Sequence, residues 1–120
     1  MTIREAITLA DALAPNAVAR ELKIHWLSEL DGRVEQEIHS PDKACGFAGY
    51  TPETSEDTAL KIPYPYDSIY PTWIKMHVDL VSGEMQKYND GTILCDERLD
   101  AYRRTLVRTT GSPPCKVKYF

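Results

Sequence analysis

Apolar residues recur at three- and four-residue intervals along most of this chain, and one long, proline-rich stretch near the middle breaks the rhythm. In the second half, Tyr70, Ile74, Val78, Val81, Met85 and Tyr88 fall on one face of an α-helix, which returns to the same side about every 3.6 residues. Ile69, Trp73, Met76 and Leu80 flank that stripe, so the start of this helix is apolar over a wide arc and is expected to be buried on two sides. Beyond Gly83 only the first stripe persists, with Glu84, Gln86 and Lys87 on the opposite surface, as for a helix running out toward solvent. Asp67 is placed to cap it, because a carboxylate there accepts the orphan N–H groups of the first turn. Pro71 falls within that turn, where a missing N–H costs least. Cys95, Leu99, Tyr102 and Leu106 mark another amphipathic helix, with Asp96, Glu97, Arg103 and Arg104 on its other faces. Between the two, Asn89-Asp90-Gly91 is a strong turn signal that also occurs as a helix end, and the reading is a break there rather than one kinked helix.

The first forty residues follow the same logic. Thr2 and Glu5 have capping-box spacing, and Ile3, Ala6, Ala10 and Leu13 line the face of the helix they open. Ala14-Pro15 ends it. Asn16 is then expected to cap a longer helix in which Val18, Leu22, Trp26, Leu30, Val34 and Ile38 repeat every four residues. That spacing drifts by about 40° per step, so the two ends of the stripe face different neighbours. Gly32 costs roughly 1 kcal/mol relative to Ala inside a helix, but the spacing continues unshifted beyond it, and one helix is retained.

From Ser40 to Tyr66 no helical period is present, and Pro41, Pro52, Pro63 and Pro65 accompany Gly46 and Gly49. A loop this long is usually functional or holds a short strand of its own. Thr58–Ile62 is the candidate strand, and the alternating Lys116–Phe120 is its evident partner. The expected fold is therefore mainly α: a small bundle of four helices with a long irregular middle loop and one short two-stranded β element. At 120 residues it is read as one domain, divided into an N-terminal helix pair (1–39), the loop (40–66), a long helical region (67–109) and a tail (110–120). A domain of this size buries roughly two-thirds of the surface its unfolded chain exposes, enough for a core without metal or disulfide.

Charge sharpens the picture at one end. The net charge is −4, and because residues 101–120 carry five basic side chains and no acidic one, the remaining hundred carry −9. Arg103, Arg104, Arg108, Lys116 and Lys118, with Tyr119 and Phe120, are accordingly the candidate protein-interaction residues. Cations there also offset the dipole of the last helix, which is the plainer explanation. The sharper one is a basic tail docking on an acidic surface of another copy or another protein. Binding of nucleic acid is a third reading, weakened by the acidic whole and by the lack of interleaved aromatics.

Chemistry finds little footing. Cys45, Cys95 and Cys115 are odd in number and widely spaced, which supports neither a disulfide framework nor a zinc knuckle and makes a reducing compartment the default. His25, His39 and His77 are too dispersed for a metal signature. Glu35 with Glu37, and Asp96 with Glu97, diverge on a helix and form no acid–base dyad. Ser28, Ser40 and Ser112 lack a nucleophile-elbow setting, and no glycine-rich phosphate loop is present. Cys95 reads as core, and Trp26 and Trp73 as core or as interface anchors. No signal peptide and no bilayer-spanning run is evident, so a soluble, intracellular, non-enzymatic protein without cofactor is expected.

Two stretches, WLSELDGRVEQEI at Trp26–Ile38 and PYDSIYPTWIKMHVDLVSGEMQKYN at Pro65–Asn89, resemble small structural proteins of tailed phages and prophages of Gram-positive bacteria, similar to the head–tail connector (adaptor) family. The resemblance covers about three-quarters of the chain and its motifs are only moderately specific, since a helical scaffold has no invariant chemistry to check. It implies a mostly helical subunit of a twelve-fold homo-oligomeric ring beneath the portal protein, extending the DNA channel and offering a platform to the stopper or tail-completion protein. On that reading DNA is only passing cargo, no membrane is involved, and the protein resides in the virion after assembly in the host cytoplasm. The loop at 40–66 and the tail after Thr109 are the segments implied in contacts. An acidic body suits a ring that passes DNA, because fixed negative charge repels phosphate. The chain departs from the family pattern after Asn89, where Gly91 and Cys95 interrupt a more continuous polar-to-apolar run. The alternatives are another head- or tail-completion protein, such as a stopper, which tends to be β-rich, or a small helical nucleic-acid-binding regulator using Arg103, Arg104 and Arg108.

Overall fold

The structure, a computed structural model, describes residues 1–39 and 47–110, with side chains to Arg108. Its helices are α1 (Ile3–Leu13), α2 (Arg20–Val34, continued by a π-helical turn, Glu35–His39), α3 (Ile69–Val81, entered through a 3₁₀ turn, Tyr66–Ser68) and α4 (Met85–Thr110). This is the expected mainly α, four-helix fold.

The capping box of α1 is formed: the Glu5 N–H donates to Thr2 Oγ1 at 3.2 Å and the Thr2 N–H to Glu5 Oε1 at 2.9 Å. Two further orphan donors of its first turn are met from the loop, the Ile3 N–H by the Thr58 carbonyl at 3.2 Å and the Arg4 N–H by the Glu56 carbonyl at 3.0 Å. Among the described residues, the same loop supplies a partner for the start of the chain. The 58–62 segment lies against Met1–Arg4, with an isolated bridge between Thr2 and Ala59, and no strand forms among the described residues. The other expected partner, Lys116–Phe120, falls outside them.

Three further expectations are corrected. Leu13 is 63% exposed, and Ile7 takes the core position on α1 instead. Asn16 does not cap α2, which begins at Arg20 with Ala19 at the cap position. Its amide donates to the Ala14 carbonyl at 2.8 Å and to Asp11 Oδ1 at 3.2 Å, while its Oδ1 accepts the Val18 N–H at 3.0 Å, so Asn16 folds the α1–α2 connection rather than opening the helix. Asp67 does not cap α3 either, since it is spent within the 3₁₀ turn and pairs with the N-terminal ammonium of Met1 at 3.4 Å.

Helix α2 runs through Gly32 unbroken and buries Trp26, Leu30, Val34 and Ile38 as expected. A second buried row, Ile24, Leu27 and Asp31, faces other neighbours. Helix α3 is central, packing on α1, α2 and most extensively on α4. It buries Ile69, Tyr70, Ile74, Met76 and Val78, which confirms the reading of a helix enclosed on two sides.

The joint between the last two helices lies elsewhere than expected. Helix α3 stops at Ser82–Gly83, where Gly83 takes φ +80°, the Glu84 N–H donates to the Asp79 carbonyl at 2.9 Å and the Gly83 N–H to the Leu80 carbonyl at 3.1 Å. This pair of bonds is the Schellman arrangement, which needs a left-handed residue and therefore favours glycine. Asn89-Asp90-Gly91 continues inside α4. A Cβ on Gly91 would sit 3.0 Å from Met76 Cβ and Cγ, so the glycine is there to let α4 lie close on α3. The two helices run antiparallel, fastened further along by Arg98, whose Nη1 donates to the Ser68 carbonyl at 3.0 Å and to Thr72 Oγ1 at 2.8 Å.

Candidate interaction surface

Polar chemistry in this fold is concentrated inside. Asp31, fully buried, accepts the Tyr70 hydroxyl on Oδ1 at 2.6 Å, and on Oδ2 the Tyr50 hydroxyl at 2.6 Å and the Lys61 N–H at 3.1 Å. The Tyr70 oxygen in turn accepts the Ile62 N–H at 2.7 Å. Burial holds the Asp31 carboxyl above its ordinary value of 3.8, although the three hydrogen bonds and nearby Lys61 pull the other way. Both phenols are pushed up, by burial first and by Asp31 beside them. Fully buried and accepting three hydrogen bonds, this carboxylate clamps the loop to α2 and α3 and presents no exposed face to a substrate. The sequence placed Asp31 only as a polar neighbour of Gly32.

His39, His77 and Cys95 are likewise committed to packing. His39 joins Glu35 at 3.2 Å and the Tyr102 hydroxyl at 2.8 Å, tying the end of α2 to α4. Glu37 turns away toward Arg33, so Glu35 and Glu37 diverge as expected. His77 stacks on Trp26 and meets Trp73 edge-on, both at 4.9 Å between centroids, and burial lowers its pKa below 6.5. The Trp73 indole N–H donates to the Trp26 carbonyl at 2.8 Å, so both tryptophans join α2 to α3. Cys95 is buried, its thiol pushed up to about 11, which suits a core residue and not a nucleophile. Among the described residues no group of three or more His, Cys, Asp or Glu is placed to hold a metal ion. No helix among them is long and apolar enough to cross a membrane.

Of the predicted interaction residues, Arg103, Arg104 and Arg108 are exposed on α4. Arg103 and Arg104 both reach Asp100, at 3.3 and 3.2 Å, so an acid just outside the basic window partly neutralises it. Exposed pairs of this kind contribute little to stability but do damp the local field. Lys116, Lys118, Tyr119 and Phe120 lie outside the described residues.

A different surface stands open at the far end of the bundle. The α1–α2 connection and the α3–α4 turn enclose a groove of about 630 Å³, lined by Pro15, Val18, Leu22, Val78, Val81, Glu84 and Lys87 among others. Val81 is 61% exposed and Leu22 39%, with Leu13 and Met85 also exposed nearby in sequence. Periodicity had placed all four on the apolar faces of their helices. Comparison of the chain with protein-family models, with curated proteins and with solved structures finds no match in any of the three.

Proposed function

We propose that this protein is a non-enzymatic structural subunit of a tailed-phage or prophage virion, acting as the head–tail adaptor that forms a ring under the portal. One observation carries the reading. The two stretches that resemble the connector family form one structural unit, because Trp26 and Asp31 of the first bind Trp73 and Tyr70 of the second. The stretches that carry the resemblance thus meet in the core of the fold. Helical content favours the adaptor over a β-rich stopper. Apolar side chains left uncovered at one end suit a part that is completed by neighbours, since large contiguous apolar patches mark interaction sites. The Asp100 pairs on Arg103 and Arg104 weaken the nucleic-acid-binding alternative.

The decisive experiment mixes the purified protein with the portal ring of the same phage or prophage and examines the product by electron microscopy. A stoichiometric ring stacked below the portal is the expected result. No binding at micromolar concentration, with both partners folded, overturns the adaptor assignment. A mobility shift of duplex DNA at low salt that disappears as salt rises would move the regulator reading ahead.

A further inference from the structure

The groove at the α1–α2 connection has an occupant that the chain itself supplies. We propose that it takes the Lys116–Phe120 segment of a second copy, in a head-to-tail contact between protomers. Three observations converge on this. The first is chemical fit. The floor of the groove is apolar through Val18, Leu22 and Val81, Glu84 lines it, and the exposed Glu21 precedes Leu22 on α2. The segment supplies Val117, Tyr119 and Phe120 as apolar anchors, interleaved with Lys116 and Lys118.

The second is charge. All eighteen acidic residues lie in 1–110, against twelve of the fourteen basic ones, so that part carries −6 while 111–120 carries +2. Complementary fields of this sort steer association and fix its register more than they deepen it.

The third is reach, and it decides between one copy and two. Lys87, which lines the groove, stands 23 residues before Thr110 on the same helix, an axial distance of about 35 Å at 1.5 Å per residue. Helix α2 gives the same orientation, since Leu22 is about 25 Å of helix from His39, and His39 is bonded to Tyr102 with two turns of α4 still to run. Fully extended, Phe120 lies at most about 33–36 Å from Thr110, but Lys116, where the segment begins, lies at most about 20–22 Å from it. Only the tip of the tail can touch the groove of its own molecule, and the segment as a whole cannot lie in it. The groove of a neighbour is within reach. A contact between two different surfaces of identical subunits is heterologous, and repeats into a closed ring or an open filament according to its rotation. This goes beyond the adaptor reading and stands without it, because its test involves this protein alone.

The test places the photo-crosslinking residue p-benzoylphenylalanine at position 119 of the full chain and mixes isotope-labelled with unlabelled protein before irradiation. Crosslinks are expected to join labelled to unlabelled copies and to map to peptides containing residues 14–22 and 78–87. Leu22→Ser with Val81→Ser, both at exposed positions, should lower the intermolecular yield by about tenfold, as loss of central apolar anchors does at an interface. Leu9→Ser, exposed on α1 outside the groove, should leave it unchanged. Crosslinks confined to one copy, crosslinks between copies at other surfaces, or none at millimolar protein would each overturn the proposal. Failure to bind a portal would leave it intact.

Discussion

The two ends of α2 live in opposite environments. Around Asp31 a polar group is sealed inside the fold and bonded on three sides, whereas around Leu22 apolar side chains line a groove open to solvent. One end is closed by bonds among distant parts of the same chain. The other stays open in the single protomer. The difference teaches that the polar residues in this molecule stabilise the protomer, while its apolar surplus is directed outward.

The sharpest way to break the closed side is Asp31→Ala, which strands two phenol hydroxyls and the Lys61 N–H. A loss of about 3–5 kcal/mol is expected from urea denaturation, and a loss under about 1 kcal/mol would mean that Asp31 is not what holds the loop. The same group has a pH signature. Its folded pKa is raised above 3.8, so the native state keeps the proton longer than the unfolded state does. Its contribution to stability is therefore greatest below pH 3.8 and is lost as pH rises through the window from 3.8 to the raised folded value. The stability of the wild type minus that of Asp31→Asn should fall across that window, and a rise would contradict the assignment.

Next in size is Gly91→Leu, which drives a side chain into Met76 and should cost about 1–3 kcal/mol. Met76→Ala in the same chain should recover part of that cost, and strict additivity of the two would show that they do not touch. Smallest is the change at the open side, where Leu22→Ser or Val81→Ser should stay within about 0.5 kcal/mol of wild type in thermal or urea unfolding. A larger effect would place those residues in the core and erase the contrast.

Local periodicity made much of this legible. The buried positions Ile74 and Val78 on α3, Cys95, Leu99 and Tyr102 on α4, and Trp26 through Ile38 on α2 all follow the repeat, because each helix buries whatever lies on its inner face. The repeat also misled. Val81 and Met85 prolong the α3 stripe across Gly83 yet are exposed, and spacing alone says that residues share a face without saying what covers it. Asn89-Asp90-Gly91 has turn composition, but a glycine needed for close approach and one needed for positive φ look alike in sequence. Asp31 was out of reach for another reason, since its partners come from Tyr50, Lys61 and Tyr70. The exposure of Arg103 and Arg104 was readable, and their partner Asp100 lay one residue outside the window that defined the basic end.

The Asp31 cluster also bears on time. Its bonds join residues 19, 30 and 39 positions apart, and the longest-range of them, from Tyr70, forms only once α3 has been brought against α2. The full cluster is thus complete only once the helices have docked, and it is expected to close late in folding. Loosening the cluster at its periphery, as with Tyr50→Phe, should quicken unfolding in stopped-flow measurements while leaving the rate of folding nearly unchanged. The protomer's lifetime, more than the speed with which it is made, is what those two tyrosines govern.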